Sequence, residues 1–262
     1  MSAAVSAAIL EVRDLQHWFG GLHVIDDVSF SCRPGIVKGI IGPNGAGKTT
    51  LFNLIAGTLA PVSGSIVFDG RPSTGLAPHR IAARGISRTF QATRLFPRMS
   101  VLENVMVGRH LRDRAGFLAG MLGPALTGRE DAHAQQECGT ILEELGIGGL
   151  AGRDAQSLPF GRQRLVEIAR ALAAEPKLLL LDEPACGLNP AETEEIGALI
   201  ARIRDGGITI LIVEHDMSLV MGISDEVLVL SHGRRIAEGT PTQVQENPEV
   251  VAVYLGEGDA QG

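Results

Sequence analysis

Gly42-Pro43-Asn44-Gly45-Ala46-Gly47-Lys48-Thr49 fits the pattern GxxxxGK[ST], a spacing whose chemistry is phosphate binding. Its glycines let successive backbone N–H groups turn towards one set of phosphate oxygens, and a helix beginning at the loop adds the positive end of its dipole. Lys48 suits a γ-phosphate and Thr49 suits Mg²⁺. Lysine is scarce here, with only Lys38, Lys48 and Lys177 beside 20 arginines, so one standing in this loop carries weight. A plain glycine-rich turn is the simpler explanation of the segment, and its flanks argue against it. The apolar run IVKGII (36–41) reads as a strand before the loop, and TTLFNLIAG (49–57) reads as a helix after it.

A second set of groups lies beyond another apolar run. Leu178-Leu179-Leu180-Leu181 reads as a buried strand that delivers Asp182 and Glu183 at its carboxyl end, where open α/β sheets bind ligands. Asp182 suits Mg²⁺ held through water, and Glu183 suits orienting and polarising an attacking water, because phosphoryl transfer needs positioning and charge stabilisation above all. Taken alone, Asp-Glu-Pro is better explained as a strand-ending turn with a solvated acid pair. The pattern of strand followed by polar residues recurs in ITILIVEHD (208–216). His215, an ordinary loop histidine by itself, becomes a candidate γ-phosphate sensor beside the other two motifs.

The elements that must position these groups follow from periodicity. Residues 10–19 and 23–32 alternate like half-buried strands, as do 65–68 before the turn at Asp69-Gly70, so the first part is β-rich. Runs 36–41, 177–182 and 208–215 are continuously apolar, as parallel strands covered on both faces are. Helical patterns lie at about 161–174 and 190–204, the second opened by Asn189-Pro190 with acidic residues in its first turn. Residues 100–155 read as helix and loop, with glycine and proline punctuation at 116–128.

Composition bounds the rest. The 262 residues are 45% hydrophobic, 20% charged and 4% aromatic, which excludes collagen-like, disordered and disulfide-scaffold classes. A net charge of −7 speaks against coating nucleic acid by bulk charge. Cys32, Cys138 and Cys186 are scattered and odd in number, as in a reducing compartment. The start, MSAAVSAAILEVRD, meets Glu11 before an apolar segment develops, and the uncharged stretch 115–128 is too short and broken to span a bilayer. The expectation is a protein without a secretory signal or transmembrane segment.

The order GPNGAGKTT (42–50), RTFQ (88–91), LPFGRQRLVEIARAL (158–172), LLLLDEP (178–184), GLNP (187–190) and VEHD (213–216) resembles the ATP-binding subunit of an ABC transporter, over nearly the whole chain. The spacing before RLFPRMSVLENV, the glycine-rich insert after it, EHDMSLVMGISD and the ending NPEVVAVYLGEG are similar to the branched-chain amino-acid type. The resemblance implies an α/β fold: a P-loop NTPase core with a mostly parallel sheet, an N-terminal antiparallel β subdomain and an inserted α-helical subdomain. It implies one ABC ATPase domain over 1–262, with 8–90 and 176–240 as catalytic core and β subdomain, 92–170 as helical subdomain and 240–262 as a C-terminal helical tail. ATP and Mg²⁺ are the implied cofactors, with Gly42, Asn44, Gly45, Ala46, Gly47, Lys48, Thr49 and Thr50 on nucleotide, and Thr49, Gln91 and Asp182 on metal. Glu183 and His215 are the implied catalytic residues. Phe19 stacks on adenine, with Trp18 the fallback, and Gly161 meets the γ-phosphate of a second subunit's site.

The implied partners are two transmembrane permease subunits, a second ABC ATPase in a homo- or heterodimer, and indirectly an extracytoplasmic substrate-binding protein, at the cytoplasmic face of the membrane and without nucleic acid. The segment from about 92 to 110 faces the permease; the insert 115–128 reads as a loop and short helix within the helical subdomain, with Met121 and Leu122 in local core, or else as a segment that shapes the contact to a particular permease. The function implied is the motor of an importer for branched-chain amino acids or related small amino acids or amides. A soluble ABC ATPase of the iron–sulfur cluster assembly kind is the alternative; a GTPase or small-molecule kinase leaves LPFGRQR, DEP and EHD without a role. One motif departs from the family: Leu158-Pro159-Phe160-Gly161-Arg162 stands where LSGGQ is common, keeping a glycine and losing serine and glutamine. Asn189 stands where an aspartate is common.

Overall fold

A computed structural model describes residues 8–89, 95–109 and 124–256. Gln91, part of the segment 92–110 and positions 115–123 of the insert lie outside the described residues.

The strands fall into two sheets because two kinds of sequence build them. The first sheet has the order β2-β1-β4-β5, all antiparallel, from β1 (Leu10–Phe19), β2 (Leu22–Cys32), β4 (Ser63–Phe68) and β5 (Arg71–Pro72). Its strands alternate, with Leu10 and Val12 inward on β1. The alternation slips at Asp14, which takes φ +49 in a bulge between Val12 and Leu15, so that Leu15 and His17 recover the buried face.

The second sheet has the order β10-β9-β3-β8-β7-β6, from β3 (Val37–Ile41), β6 (Ile86–Arg88), β7 (Leu178–Asp182), β8 (Thr209–Val213), β9 (Glu226–Ser231) and β10 (Arg234–Gly239). All its pairings are parallel except that of β10 with β9. β3, β7 and β8 are buried along their whole length, as the apolar runs require. Each strand serves two cores. Leu178, Leu180, Leu211 and Val213 pack with α1 (Lys48–Ile55) and the antiparallel sheet, whereas Leu179, Leu181, Ile210 and Ile212 pack on the opposite face.

That opposite face carries the helices between β6 and β7 and the helix that follows β7. α2 (Pro78–Ala82) precedes β6; α3 (Val101–Arg109), α4 (Pro124–Glu144) and α5 (Phe160–Leu172) share the buried residues Val105, Cys138, Leu142, Leu165 and Val166. Helix α4 begins at Pro124, so 124–128 of the insert belongs to a helix of 21 residues. α6 (Pro190–Asp205) lies against the same core through Ile196, Leu199 and Ile200. After α7 (Met217–Ile223), the short helices α8 (Pro241–Gln245) and α9 (Pro248–Gly256) bring Val244 and Val250 onto Val227 and Val229 of β9.

Lys38, in the centre of β3, is completely buried. Its ammonium donates to the Ser31 carbonyl and to the carboxylates of Glu226, at 3.0 Å, and Glu238, and Arg33 also pairs with Glu226. Burial pushes the neighbouring Cys32 thiol up to about 12. Among the described residues no helix is long and apolar enough to cross a membrane.

Candidate functional site

β3 ends at Ile41 and α1 begins at Lys48, so the glycine-rich loop is a strand-to-helix turn. Gly42 has φ +149, and a Cβ there would lie 2.0 Å from the Leu230 carbonyl oxygen. Gly47 has φ +99, with Val24 O 2.6 Å from its would-be Cβ, so the loop is pressed between β2 and the end of β9. Nearly buried, the Lys48 side chain turns back over the loop, and Nζ donates to Gly42 O at 2.5 Å and Pro43 O at 2.9 Å. The residues Asn44 to Thr50 line a cavity of about 200 Å³ together with Val24, Glu183 and His215. Groups that are far apart in the chain thus face one small space.

The carboxylates arrive from the neighbouring strands. Asp182 closes β7, is buried, and gives Oδ2 to the Arg88 guanidinium at 2.7 Å. Its Oδ1 is buried without a hydrogen-bond partner among the described residues. A buried carboxylate oxygen left bare is costly, and a hard, oxygen-seeking cation beside it removes that cost, so the donor set fits Mg²⁺. Glu183 follows with φ +49, a left-handed conformation that a non-glycine residue adopts only under constraint. Its N–H donates to Val213 O at 2.8 Å, and its Oε1 lies 2.9 Å from Nε2 of the half-exposed His215. A carboxylate and an imidazole in contact beside a phosphate-binding loop can orient water against a phosphoryl group.

The ABC transporter profile matches residues 25–186, from the strand that flanks the loop to the turn beyond Glu183. The chain belongs to the ABC transporter family, as one of its ATP-hydrolysing subunits. Its ending, 234–260, matches the profile of the branched-chain amino acid ATP-binding cassette transporter. The high-affinity branched-chain amino acid transport ATP-binding protein BraF of Pseudomonas aeruginosa is 44% identical over 97% of this chain and 100% of its own. The lipopolysaccharide export system ATP-binding protein LptB of Escherichia coli is 36% identical over 95% and 98%. Among solved structures, the ADP conformation of the ABC transporter cassette MJ1267 superposes with a TM-score of 0.82 at 33% identity, covering 95% of this chain and 99% of that one. The cassette MJ0796, a dimer in a post-hydrolysis state with ADP and Pi, gives 0.73 at 25% identity over 88% and 98%.

Other expected residues of this ABC subunit stand apart from the 200 Å³ cavity. Phe19 sits half-exposed at the tip of the β1–β2 hairpin, edge-on to His17 at 4.7 Å, and Trp18 leans on His23. Gly161 lies in the first turn of α5, whose N-cap, Pro159, makes no side-chain cap. Phe160, in the altered signature, lies under the Arg164 guanidinium at 5.1 Å and 3.2 Å from the would-be Cβ of Gly187, so the aromatic ring packs on the turn that leaves Glu183. Asn189 is the N-cap of α6 and closes a capping box with Glu192.

Two residues near the cavity stand inside the motifs RTFQ and VEHD, which assign them no role of their own. Arg88 is one, at the end of a three-residue strand too short for a period to show. Glu214 is the other: buried, it accepts Ala185 N–H at 2.6 Å and His215 N–H at 3.0 Å, tying the turn after β7 to the turn after β8. Its sequence signal was the carboxylate placed directly behind the apolar run TILIV (209–213). A larger groove of about 740 Å³ runs between the nucleotide core and the helices, with Ile81, Ile86, Arg88, Leu95, Phe96, Val107 and Arg170 on its walls.

Proposed function

We propose that this chain binds and hydrolyses ATP to drive an importer of branched-chain amino acids or related small amino acids or amides, working at the cytoplasmic face of the membrane with a second ATPase subunit, two permeases and an extracytoplasmic binding protein. The observation that carries this reading is full-length similarity to BraF together with the family-specific ending at 234–260. That ending also counts against a soluble cluster-assembly ATPase.

In this reading Gly42 and the residues Asn44 to Thr50 cradle the triphosphate, Lys48 reaches its terminal phosphates, and Phe19 stacks on adenine. Thr49, Asp182 and Gln91 would hold Mg²⁺, which would supply positive charge against the phosphate oxygens. Glu183 orients water for attack on the γ-phosphorus; the bond to the β-phosphate oxygen breaks, and ADP leaves with the electron pair. His215 holds the Glu183 carboxylate and senses the γ-phosphate, while Gly161 and the bare N-terminus of α5 meet the γ-phosphate of the twin site. The 740 Å³ groove, with apolar walls that include Leu95 and Phe96, supports docking of a permease segment there.

The test is affinity purification of the tagged chain from mildly solubilised native membranes, with wild type beside Glu183→Gln and Lys48→Ala. Two multi-spanning proteins and a second ATPase are expected to accompany the wild type. The Gln variant is expected to retain ATP without hydrolysing it, and the Ala variant to bind ATP weakly. Soluble partners alone would overturn the transport reading, and normal hydrolysis by the Gln variant would remove Glu183 from its role.

A further inference from the structure

Arg88 joins three parts of the site with one side chain. Nη2 donates to Asp182 Oδ2 at 2.7 Å, Nη1 donates to Asn53 Oδ1 at 2.6 Å, and the guanidinium lies 5.7 Å from the Phe52 ring centroid. Asn53 stands one turn beyond Thr49 on α1, so the planar fork braces the helix of the phosphate loop against the strand that ends in Asp182. The ion pair is closed to solvent, with side-chain exposures of 9% for Arg88 and 2% for Asp182. An ordinary buried pair satisfies both carboxylate oxygens, but this one leaves Asp182 Oδ1 bare while gripping Oδ2. Held at Oδ2 by a braced guanidinium, the carboxylate keeps its other oxygen presented rather than consumed.

We propose that Arg88 is a positioning residue for the cation: by holding Oδ2 of Asp182 and Oδ1 of Asn53 it presents Asp182 Oδ1 to Mg²⁺ in register with the phosphate loop. The inference rests on the reading of Asp182 as a Mg²⁺ residue. Arg88 is also among the residues that line the 740 Å³ groove, so one residue belongs both to the groove and to the grip on Asp182.

The experiment is equilibrium binding of a fluorescent ADP analogue to the purified full-length chain, in EDTA and across a MgCl2 titration. Wild type, Arg88→Met, Arg88→Lys and Asp182→Asn are compared. Methionine keeps the stem on Phe52 and removes the fork; lysine keeps the charge and loses the second arm. Affinity in EDTA is expected to stay within about twofold of wild type, while the Mg²⁺ concentration for half-maximal enhancement rises about tenfold in Arg88→Met and less in Arg88→Lys, the scale on which losing an outer partner weakens a metal site. If Asp182→Asn shifts the Mg²⁺ midpoint and neither Arg88 variant does, the inference fails and the Asp182 reading stands. If Asp182→Asn leaves the midpoint in place, that reading falls and the inference with it. Equal loss of affinity with and without Mg²⁺ in both Arg88 variants would make Arg88 a packing residue and overturn the proposal. Should the methionine variant fail to fold, the lysine variant decides by the same midpoint.

Discussion

Glu214 is a carboxylate buried beside the Glu183–His215 contact, and its protonation can be read in stability. Burial lifts its carboxyl above the ordinary 4.5; the backbone donors at Ala185, His215 and Asp216 pull it down and the nearby Glu183 charge lifts it, leaving it raised. A raised carboxyl means that the folded chain holds the proton after the unfolded chain has lost it, so its contribution to stability falls as pH rises from 4.5 through the folded value. Glu214→Gln removes the titration. The melting temperature of the variant is therefore expected to gain on wild type between pH 4.5 and 7.5, whatever its fixed offset; parallel curves, or a gap that closes with pH, would contradict the assignment. Single residues were legible in the sequence where a motif names them, as with Lys48, Thr49, Asp182, Glu183 and His215. Glu214 and Arg88 were not, because their partners Ala185 and Asp182 stand 29 and 94 positions away and only folding makes them neighbours.

Among the elements, α6 shows how a helix start is tied to the altered signature. The Asn189 side chain accepts Glu192 N–H, and Glu192 in return accepts Asn189 N–H at 3.0 Å. That fixes the Glu192 carboxylate beside α5, where Oε1 lies 2.6 Å from the would-be Cβ of Gly161. A methyl group at Gly161 would press on that carboxylate, which can yield only by shifting its end. Asn189→Ala is expected to cost about 1 kcal/mol in urea unfolding, the usual value of such a cap. Gly161→Ala in a Glu192→Ala background is expected to cost less than in wild type, since the carboxylate beside Gly161 is then gone; additive losses would show that cap and signature are independent. β3, β7 and β8 were legible as uninterrupted apolar runs, and α5 and α6 as helical periods. β6 has three residues, and β10 (RRIAEG) has little alternation to reveal it, so both exist only through pairing with β7 and β9. β9 (EVLVLS) is a short run of alternating valine and leucine between Asp225 and His232.

For the whole molecule, the central sheet is the shared wall of two cores, one holding the phosphate loop and the other the helices with the signature. Motif order was enough to read the family and the α/β plan. The 740 Å³ groove was not readable, because segments from α2 to α5 meet to form it. The three cysteines are divided by the same architecture. Cys32 and Cys138 are buried, the first with its thiol pushed up to about 12, whereas Cys186 is exposed three positions after Glu183. A maleimide dye at neutral pH is expected to label one thiol in the folded chain and three in denaturant, and two rapid equivalents in the folded chain would contradict that burial. The chain thus carries a built-in attachment point for a fluorophore on the turn that follows Glu183, without a cysteine engineered in or out.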